Sequence, residues 1–314
     1  MDRFAYILRR LVQAVPVVIG VTVLVFFMIH LVPGDPARTM LGVHASPQRV
    51  ALLHHEWGLD RSLPVQYELF MKRLAHGDLG DSLFYHVSAR SLILDHLPVT
   101  LWLIGYATVL AILIAVPLAT IAATKKDGLR DQAVRAVPLV GLGFPPFWLG
   151  IMLLLAFGLH AGRLFPVGGY GEGLAGHLRS MFLPGLTVAL GIAPILIRSL
   201  RASLLNVLES DFITTARSKG IPERRVYMRH ALRNAVISTV SVLGVNIGFL
   251  VGGTLVIEQV FALPGIGQLM INSILQRDFP VVQGVTLVFA IMVVLVYLAT
   301  DVIHSLLDPR VRFD

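Results

Sequence analysis

Long runs of apolar residues, separated by short polar and charged segments, dominate the chain. A helix needs about 20 apolar residues to cross a hydrocarbon core about 30 Å thick. Six runs approach or exceed this length, at residues 11–32, 97–123, 134–160, 181–197, 235–257 and 281–307. The pattern therefore predicts an all-α polytopic membrane protein with six transmembrane helices.

Composition agrees with a membrane protein. Of 314 residues, 55% are hydrophobic and 14% are charged, whereas charged residues make up about a quarter of a soluble domain. The formal net charge of +7 is better explained by basic cytoplasmic loops than by nucleic-acid binding. Cysteine is absent, which excludes disulfides and thiolate metal sites.

Charge bias predicts the orientation. If the N-terminus lies in the cytoplasm, most Lys and Arg residues fall on the cytoplasmic side, as the positive-inside rule requires. Both termini are then cytoplasmic. The first apolar run is too long for the core of a signal peptide, so we expect it to be a retained span.

The segment 33–96 is the one sizeable loop predicted on the outer face. Ser46 and Pro47 are typical of a helix start, and Gly58 of its end. A second helix is expected from Pro64 to His76, and Ser88 can cap a third. This loop is either a passive linker or a docking site for an external partner.

Several residues inside the apolar runs stand out. Proline in a span leaves carbonyl groups that neighbouring groups must satisfy, and glycines at spacing four allow close helix packing. An acidic residue in a span is a functional candidate, although near the interface it can serve a structural role. The candidates for a translocation path or for helix packing are Pro145, Pro146, Gly244, Gly248, Gly252 and Asp301.

Motifs for bond chemistry are missing from the sequence. There is no phosphate-binding GxxxxGK[ST] loop, no HExxH and no GxSxG, so we predict neither catalytic residues nor a metal site. The stretch VGGYG at residues 167–171 is similar to a potassium-channel filter. It follows a full-length apolar run rather than a short pore helix, and a flexible external turn is the preferred interpretation.

The segment 201–234 is basic and broken near its middle. Leu204, Leu208 and Phe212 fall at spacing four, which predicts one amphipathic helix. Gly220 can adopt the left-handed conformation that ends a helix, leaving Ile221 exposed at the turn. Pro222 can then begin a second helix.

In that second helix, Arg225, Arg229 and Arg233 are predicted to form one basic row. Such a hairpin can bind anionic lipid, act as a gate, or insert into a cytoplasmic partner. The last alternative explains most, because a protein without its own ATP site needs an outside motor.

The stretch TARSKGIPERRVYMRHALRNA resembles a family signature. Thr214-Thr215-Ala216, followed three residues later by Gly220, is similar to the EAA–xxx–G motif by which ABC importer permeases dock on their ATPase. Two threonines stand where that motif has Glu-Ala. Four further stretches resemble dipeptide, oligopeptide and nickel permeases: RRLVQAVPVVIGVTVLVFFMIHLVPGDPA, GLDRSLPVQYELFMKRLAHGDLGDS, VFALPGIGQLMINSILQRDFPVVQG and DVIHSLLDPRVR.

This resemblance implies a type I ABC importer transmembrane fold and a permease subunit of the dipeptide B type. The implied partners are a second, similar permease, two cytoplasmic ATPases that bind ATP and Mg²⁺, an extracytoplasmic solute-binding protein and membrane lipid. This chain would itself hold no cofactor. The implied ATPase-coupling residues are Thr214, Thr215, Ala216, Arg217, Ser218, Lys219, Gly220, Ile221, Pro222, Arg225 and Arg229.

The expected division of the chain is residues 1–32 for the N-terminus and first helix, 33–96 for the outer loop, 97–307 for the core including the loop 201–234, and 308–314 for a cytoplasmic tail. The expected location is a bacterial inner membrane. Dipeptides are the expected solute; oligopeptides, glutathione and nickel chelates are alternatives. A secondary transporter or a channel is the alternative from another class.

Overall fold

The computed structural model describes residues 3–31, 35–42, 45–82, 84–124, 126–141, 143–160 and 164–307. The predicted tail 308–314 lies outside the described residues, and so does the end of the first apolar run. The helices are α1 (Arg3–His30), α2 (Pro36–Leu41), α3 (Pro47–Trp57), α4 (Leu63–Ala75), α5 (Ala89–Thr124), α6 (Leu129–Gly141), α7 (Pro146–Leu153), α8 (Gly173–Ser180), α9 (Phe182–Leu208), α10 (Asp211–Ser218), α11 (Glu223–Arg225), α12 (Leu232–Val260), α13 (Ile266–Leu275) and α14 (Phe279–Leu307), with π-helical segments at Leu154–His160 and Val226–Ala231.

Within the described ranges, five stretches are long and apolar enough to cross a membrane: Leu8–Met28, Ala89–Thr124, Phe182–Leu208, Glu223–Val260 and Phe279–Leu307. They correspond to five of the six predicted spans, which confirms the all-helical membrane fold. Two of these helices are longer than the apolar runs they contain. α5 begins eight residues before the run at 97, and α9 continues past 197, because a helix does not have to stop at the membrane surface.

The third predicted span, over 134–160, is broken at its two prolines. The structure forms α6, breaks, and resumes as α7 at Pro146. Pro145 is extended, with φ −59° and ψ 137°, and Pro146 has no N–H with which to continue the hydrogen-bond ladder. Beyond Leu153 the helix widens into its π-helical segment. A long apolar run therefore folds here as two shorter helices.

Small side chains allow the central helices to pack closely. α5 packs along α9, α9 also contacts α12, and α12 contacts α14. On α5, Ala107, Ala111, Ala115 and Ala119 are all buried at spacing four. In a membrane, where lipid is as apolar as the helix surface, such small residues favour association by letting backbones approach.

The outer helices begin and end where their sequences predict. Ser46 Oγ accepts a hydrogen bond from Arg49 N at 3.3 Å and caps α3. Gly58 and Gly77 have φ of 64° and 72°, the left-handed values that end helices. Ser88 caps the start of α5, with its Oγ accepting from Ser91 N at 3.1 Å. The third outer helix is thus the first part of α5.

Polar contacts fasten α1 to α14 at both ends. Arg10 Nε lies 3.1 Å from Asp301 Oδ2, and Gln283 Nε2 donates to Val25 O at 2.7 Å. The two helices therefore run antiparallel. His30 Nε2 lies 3.0 Å from Gln66 Oε1 on α4, so the outer loop packs against the bundle.

A buried carboxylate links three further helices near the outer end. Glu258 on α12 is fully buried and accepts from Thr100 Oγ1 of α5 at 2.7 Å. It also accepts from the backbone N–H groups of Gly267 and Gln268, at 2.8 and 3.0 Å. These groups open α13, where the helix dipole favours an anion. Thr100 Oγ1 in turn accepts from Ile266 N at 3.0 Å.

We expect Glu258→Ala to destabilise the protein by about 3–5 kcal/mol, because it leaves buried donors without their acceptor. Thermal unfolding of the purified protein in detergent measures this loss. Gln259→Ala, at the exposed neighbouring position on α12, is the matched control. Equal unfolding temperatures for the two variants would show that the carboxylate does not hold α13 in place.

Candidate functional site

The candidate site is the hairpin, defined as residues 209–231 between α9 and α12. The predicted single amphipathic helix through Phe212 is wrong. α9 ends at Leu208, and Ser210 is extended with φ −78° and ψ 152° before α10 starts. This break rotates the following residues, so that Phe212 is 46% exposed and Ile213 is fully buried.

The inner face of the hairpin belongs to the protein core. Ile213 and Val226 are fully buried and Ala216 is 7% exposed. They pack in the same apolar cluster as Leu204 of α9 and Ala235 of α12. Because this face is seated on the ends of two long helices, the hairpin is an extension of the bundle.

The tip is a tight turn between α10 and α11. Gly220 has φ 73°, which confirms its predicted left-handed conformation, and its N–H donates to Arg217 O at 2.9 Å. Pro222, with φ −62°, directly precedes α11. Ile221, predicted to be exposed, is half-buried and packs against the core cluster.

An ion pair missed by the sequence analysis closes the turn. Arg217 Nε donates to Glu223 Oε1 at 2.8 Å, and Nη2 donates to Oε2 at 3.3 Å. A two-pronged Arg–carboxylate contact fixes orientation as well as distance. Opposite charges on either side of a Gly-Ile-Pro turn are the sequence signal that could have revealed it.

The predicted basic row is only partly present. Arg224, Arg225, Arg229 and Arg233 are all exposed. The intervening segment Val226–Ala231 is π-helical, and hydrogen bonds from i to i+5 widen its turn. Residues at spacing four therefore do not stack in a straight line, and the arginines form a broader basic surface beside the tip.

The base of the hairpin is tied by side-chain hydrogen bonds. Ser203 Oγ on α9 donates to Ala235 O on α12 at 3.0 Å. Ser238 Oγ donates to Ser203 Oγ at 2.8 Å. These bonds join the two helices immediately before the chain enters and after it leaves the hairpin.

Close to Ser203 on α9, an ion pair holds α6 to α9. Arg201 Nε and Nη2 donate to the two carboxylate oxygens of Asp131, at 2.5 and 2.6 Å. Asp131 is fully buried, and these hydrogen bonds lower the pKa of its carboxyl below the usual value of 3.8. The contact is therefore retained at neutral pH and is lost only when acid protonates Asp131.

The remaining predicted residues lie in separate places. A side chain added at Gly244 would overlap Thr300, and one at Gly248 would lie 3.0 Å from the Tyr297 ring, so both glycines accommodate α14. Gly252 has open space instead, because successive residues at spacing four drift around the helix. Pro145 and Pro146 are exposed at the α6–α7 break, and Asp301 pairs with Arg10.

Exposure divides the predicted coupling residues. Ala216 is buried and Ile221 is half-buried, whereas the others are exposed: Thr214, Thr215, Arg217, Ser218, Lys219, Gly220, Pro222, Arg225 and Arg229. Within the described ranges, no group of three or more His, Cys, Asp or Glu side chains could hold a metal ion. The site therefore presents an exposed turn with a basic surface beside it.

Comparison with family models gives the family. The description "Binding-protein-dependent transport system inner membrane component" matches residues 115–313, and its N-terminal companion matches residues 1–104. The chain belongs to this family. It is a multi-pass inner membrane component of a bacterial transport system and an ABC importer permease of the peptide and glutathione type.

Relatives match along almost the whole chain. A protein of Brucella abortus (strain 2308), named as a peptide transport system permease, is 40% identical over 313 residues, covering 99% of both chains. The glutathione transport system permease GsiC of Salmonella choleraesuis (strain SC-B67) is 35% identical, over 98% of this chain and 99% of its own.

A solved structure supports the fold. The methionine ABC transporter MetNI, in inward-facing conformations, contains a chain that aligns with a TM-score of 0.58 at 17% identity. The match covers 69% of this chain and 96% of the MetNI chain. The type I ABC importer transmembrane fold expected from the sequence is confirmed.

We expect Ile213→Ala to loosen the hairpin by about 2–4 kcal/mol, because it leaves a cavity in a fully buried position. Phe212→Ala, next to it but exposed, should have little effect. Hydrogen exchange of the α10 amides measures both. If Phe212→Ala loosens the amides as much as Ile213→Ala, the described inner face is incorrect.

Proposed function

We propose that this chain is the permease subunit of an ATP-driven importer for peptide-class solutes, most directly dipeptides. The observation that supports this most strongly is the hairpin, whose inner face is buried and whose tip is exposed. Such a projection can carry a push from a partner into α9 and α12. The Brucella relative, named for peptide transport, supports the solute class.

In this mechanism the chain itself performs no bond chemistry. ATP and Mg²⁺ bind to two cytoplasmic ATPase subunits, and the tip residues 217–223 seat in one of them. When the ATPases close, the hairpin moves as a rigid body with α9 and α12. The helices rock against a second permease subunit, and access to the central path alternates between the two sides.

The geometry of the helix ends supports cytoplasmic placement of the hairpin. The ion pair between Arg201 and Asp131 puts the end of α5 and the start of α6 beside the hairpin base. Arg10 and Asp301 bring the start of α1 to the end of α14. Together with the basic hairpin surface, this favours a single cytoplasmic face that also carries both termini.

The exposed face of α12 is the best candidate for the translocation path. Val245, Phe249 and Val256 are 45%, 72% and 46% exposed, and Gly252 lies open on the same side. Pro145 and Pro146 add an exposed break. This apolar surface has few groups that could select one side chain, so we place solute selection in the binding protein.

Glutathione is the second candidate solute. The Salmonella relative is named for glutathione transport and is similar over nearly the full length. Glutathione is itself a tripeptide, so the same weakly selective path could pass it. Oligopeptides and nickel chelates remain further alternatives within the same class of importer.

The outer loop is proposed to dock the solute-binding protein. Its helix α4 is held on α1, as described above, while α3 and the start of α4 present Leu52 and Leu63 at 61% and 45% exposure. A loop held firmly on the bundle with apolar groups facing outward is suited to binding an external protein.

Replacing Gly220 with valine should uncouple transport from ATP hydrolysis. A β-branched residue at φ 73° is strained by about 1–2 kcal/mol or more, although there is space for its Cβ. We expect solute-stimulated ATP hydrolysis in the reconstituted complex to fall towards the basal rate and uptake to fall with it.

Gly173→Val is the matched control. Gly173 has φ 65° and equally open space around it, but it lies at the start of α8, and the whole of α9 separates it from the hairpin. Unchanged stimulation in the Gly220 variant would contradict coupling through the tip. Uptake by this chain without ATP or ATPase subunits would favour a secondary transporter or a channel.

Leu52→Asp combined with Leu63→Asp should weaken stimulation by the binding protein and leave the basal ATPase rate unchanged. Both leucines are exposed, so the fold should tolerate the change. Titration of the binding protein in the reconstituted complex measures its half-saturating concentration. Leu164→Asp, exposed on another outer segment, is the control; an equal shift in both would argue against docking on the loop.

A further inference from the structure

A cleft lies between α6 and α9, beside the Arg201–Asp131 ion pair. The proposed function of the hairpin gives this cleft no role. One part of its wall is apolar and the other carries three guanidinium groups. It is lined by Gln132, Val134, Arg135, Ala136, Pro194, Ile197, Arg198 and Arg201. This combination distinguishes it from the exposed apolar surfaces elsewhere on the bundle.

The three arginines are unequally neutralised. Arg201 is fully engaged by the buried Asp131. Arg135 Nη2 lies 3.6 Å from Asp131 Oδ2 and 3.8 Å from Asp127 Oδ1, which are loose contacts. Arg198 is exposed and forms no ion pair or hydrogen bond with any described residue. Three guanidinium groups thus share two carboxylates, and a positive charge is left facing the cleft.

The position of Arg198 along α9 places it near a membrane surface. With Phe182, where α9 begins, placed at the outer edge of the hydrocarbon core, Arg198 lies about 24 Å further along the helix at 1.5 Å per residue, which is close to the inner edge of a core about 30 Å thick. Pro194 and Ile197, on the apolar wall, lie up to one turn deeper. The cleft therefore extends from the level of lipid headgroups into the level of acyl chains.

We propose that this cleft binds an anionic phospholipid. A guanidinium group pairs well with a phosphodiester oxygen through charge-assisted hydrogen bonds, so Arg198 and Arg135 would hold the headgroup. The acyl chain would lie against Val134 and Ala136, over the cleft floor formed by Pro194 and Ile197, which are themselves buried. A purely polar anion would leave that wall uncovered, and a zwitterionic phospholipid would bring its own cation beside Arg198 and Arg135.

This site is distinct from the proposed ATPase contact. The cleft lies at the base of the bundle, whereas the hairpin tip at Gly220 is separated from it by the last part of α9 and the whole of α10. Because Arg201 forms both the cleft wall and the α6–α9 tie, bound lipid would also brace the joint from which α6 leaves the bundle.

Native mass spectrometry of the assembled transporter tests the proposal. Delipidated complex is titrated with phosphatidylglycerol, or with phosphatidylcholine of the same acyl chains. We expect the wild type to retain at least fivefold more phosphatidylglycerol. Arg198→Gln and Arg135→Gln should each abolish this preference, and Arg49→Gln, which removes an exposed charge from α3, should preserve it.

Competition identifies the source of the phosphate. Glycerol phosphate and inorganic phosphate should fail to displace the lipid at matched concentrations; displacement by either would overturn the lipid assignment. Equal retention of the two lipids, or an unchanged preference in both cleft variants, would also overturn it. So would loss of ATPase or permease subunits from the Arg198→Gln complex, because a protein would then be the occupant.

Discussion

Burial of the hairpin's inner face is the interaction that fixes the hairpin on the bundle and on which the proposed coupling depends. Fully burying an aliphatic side chain contributes about 1.5–3 kcal/mol, and Ile213 and Val226 are both without solvent exposure. The hydrogen bonds of Ser203 hold the two supporting helices together just beneath. Burial and these hydrogen bonds therefore hold the hairpin against α9 and α12, which is the arrangement that the proposed coupling requires.

Polar ties occur towards the ends of the bundle, while apolar contacts join its middle. The Glu258 network lies near one end, the Arg201–Asp131 pair lies near the other, and α1 is fastened to α14 at both. Between them, alanines of α5 and glycines of α12 make close but non-directional contacts. Such a bundle keeps its helix ends in fixed groups, and among the described residues the contacts at mid-bundle are apolar and do not oppose sliding as hydrogen bonds would.

The sequence alone is enough to predict the membrane-spanning helices, because the thickness of the membrane sets their minimum length. The apolar runs give α1, α5, α9, α12 and α14, and Gly220 gives the turn, because few residues adopt its backbone angles. Pro145 and Pro146 mark the break in the third run, but the sequence does not show that the run divides into two separate helices, since a long apolar run suits one helix or two. Glu258 was overlooked because the predicted span ended one residue earlier, and its partner Thr100 lies 158 residues away. A local sequence pattern cannot predict a contact between two residues so far apart in the chain.

The hairpin contains the stretch that resembles the coupling motif of ABC importer permeases, and the roles of its residues are proposals. The two threonines, Thr214 and Thr215, are exposed on α10, so their replacement of the Glu-Ala of the common signature alters the surface offered to a partner. The buried Ala216 keeps the small residue that the inner face requires. One side of this short helix is therefore buried in the fold, and the opposite side is exposed and is the side proposed to contact the ATPase.

Labelling of a unique cysteine at the tip tests the central claim most directly. The chain has no cysteine, so Ser218→Cys, exposed at the end of α10, can be probed alone with a membrane-impermeant maleimide. The expected result is labelling in inside-out vesicles stripped of ATPase subunits, protection when those subunits rebind, and no labelling in right-side-out vesicles. Labelling from the outside, or equal labelling with and without the ATPases, would contradict a cytoplasmic hairpin that receives force from them.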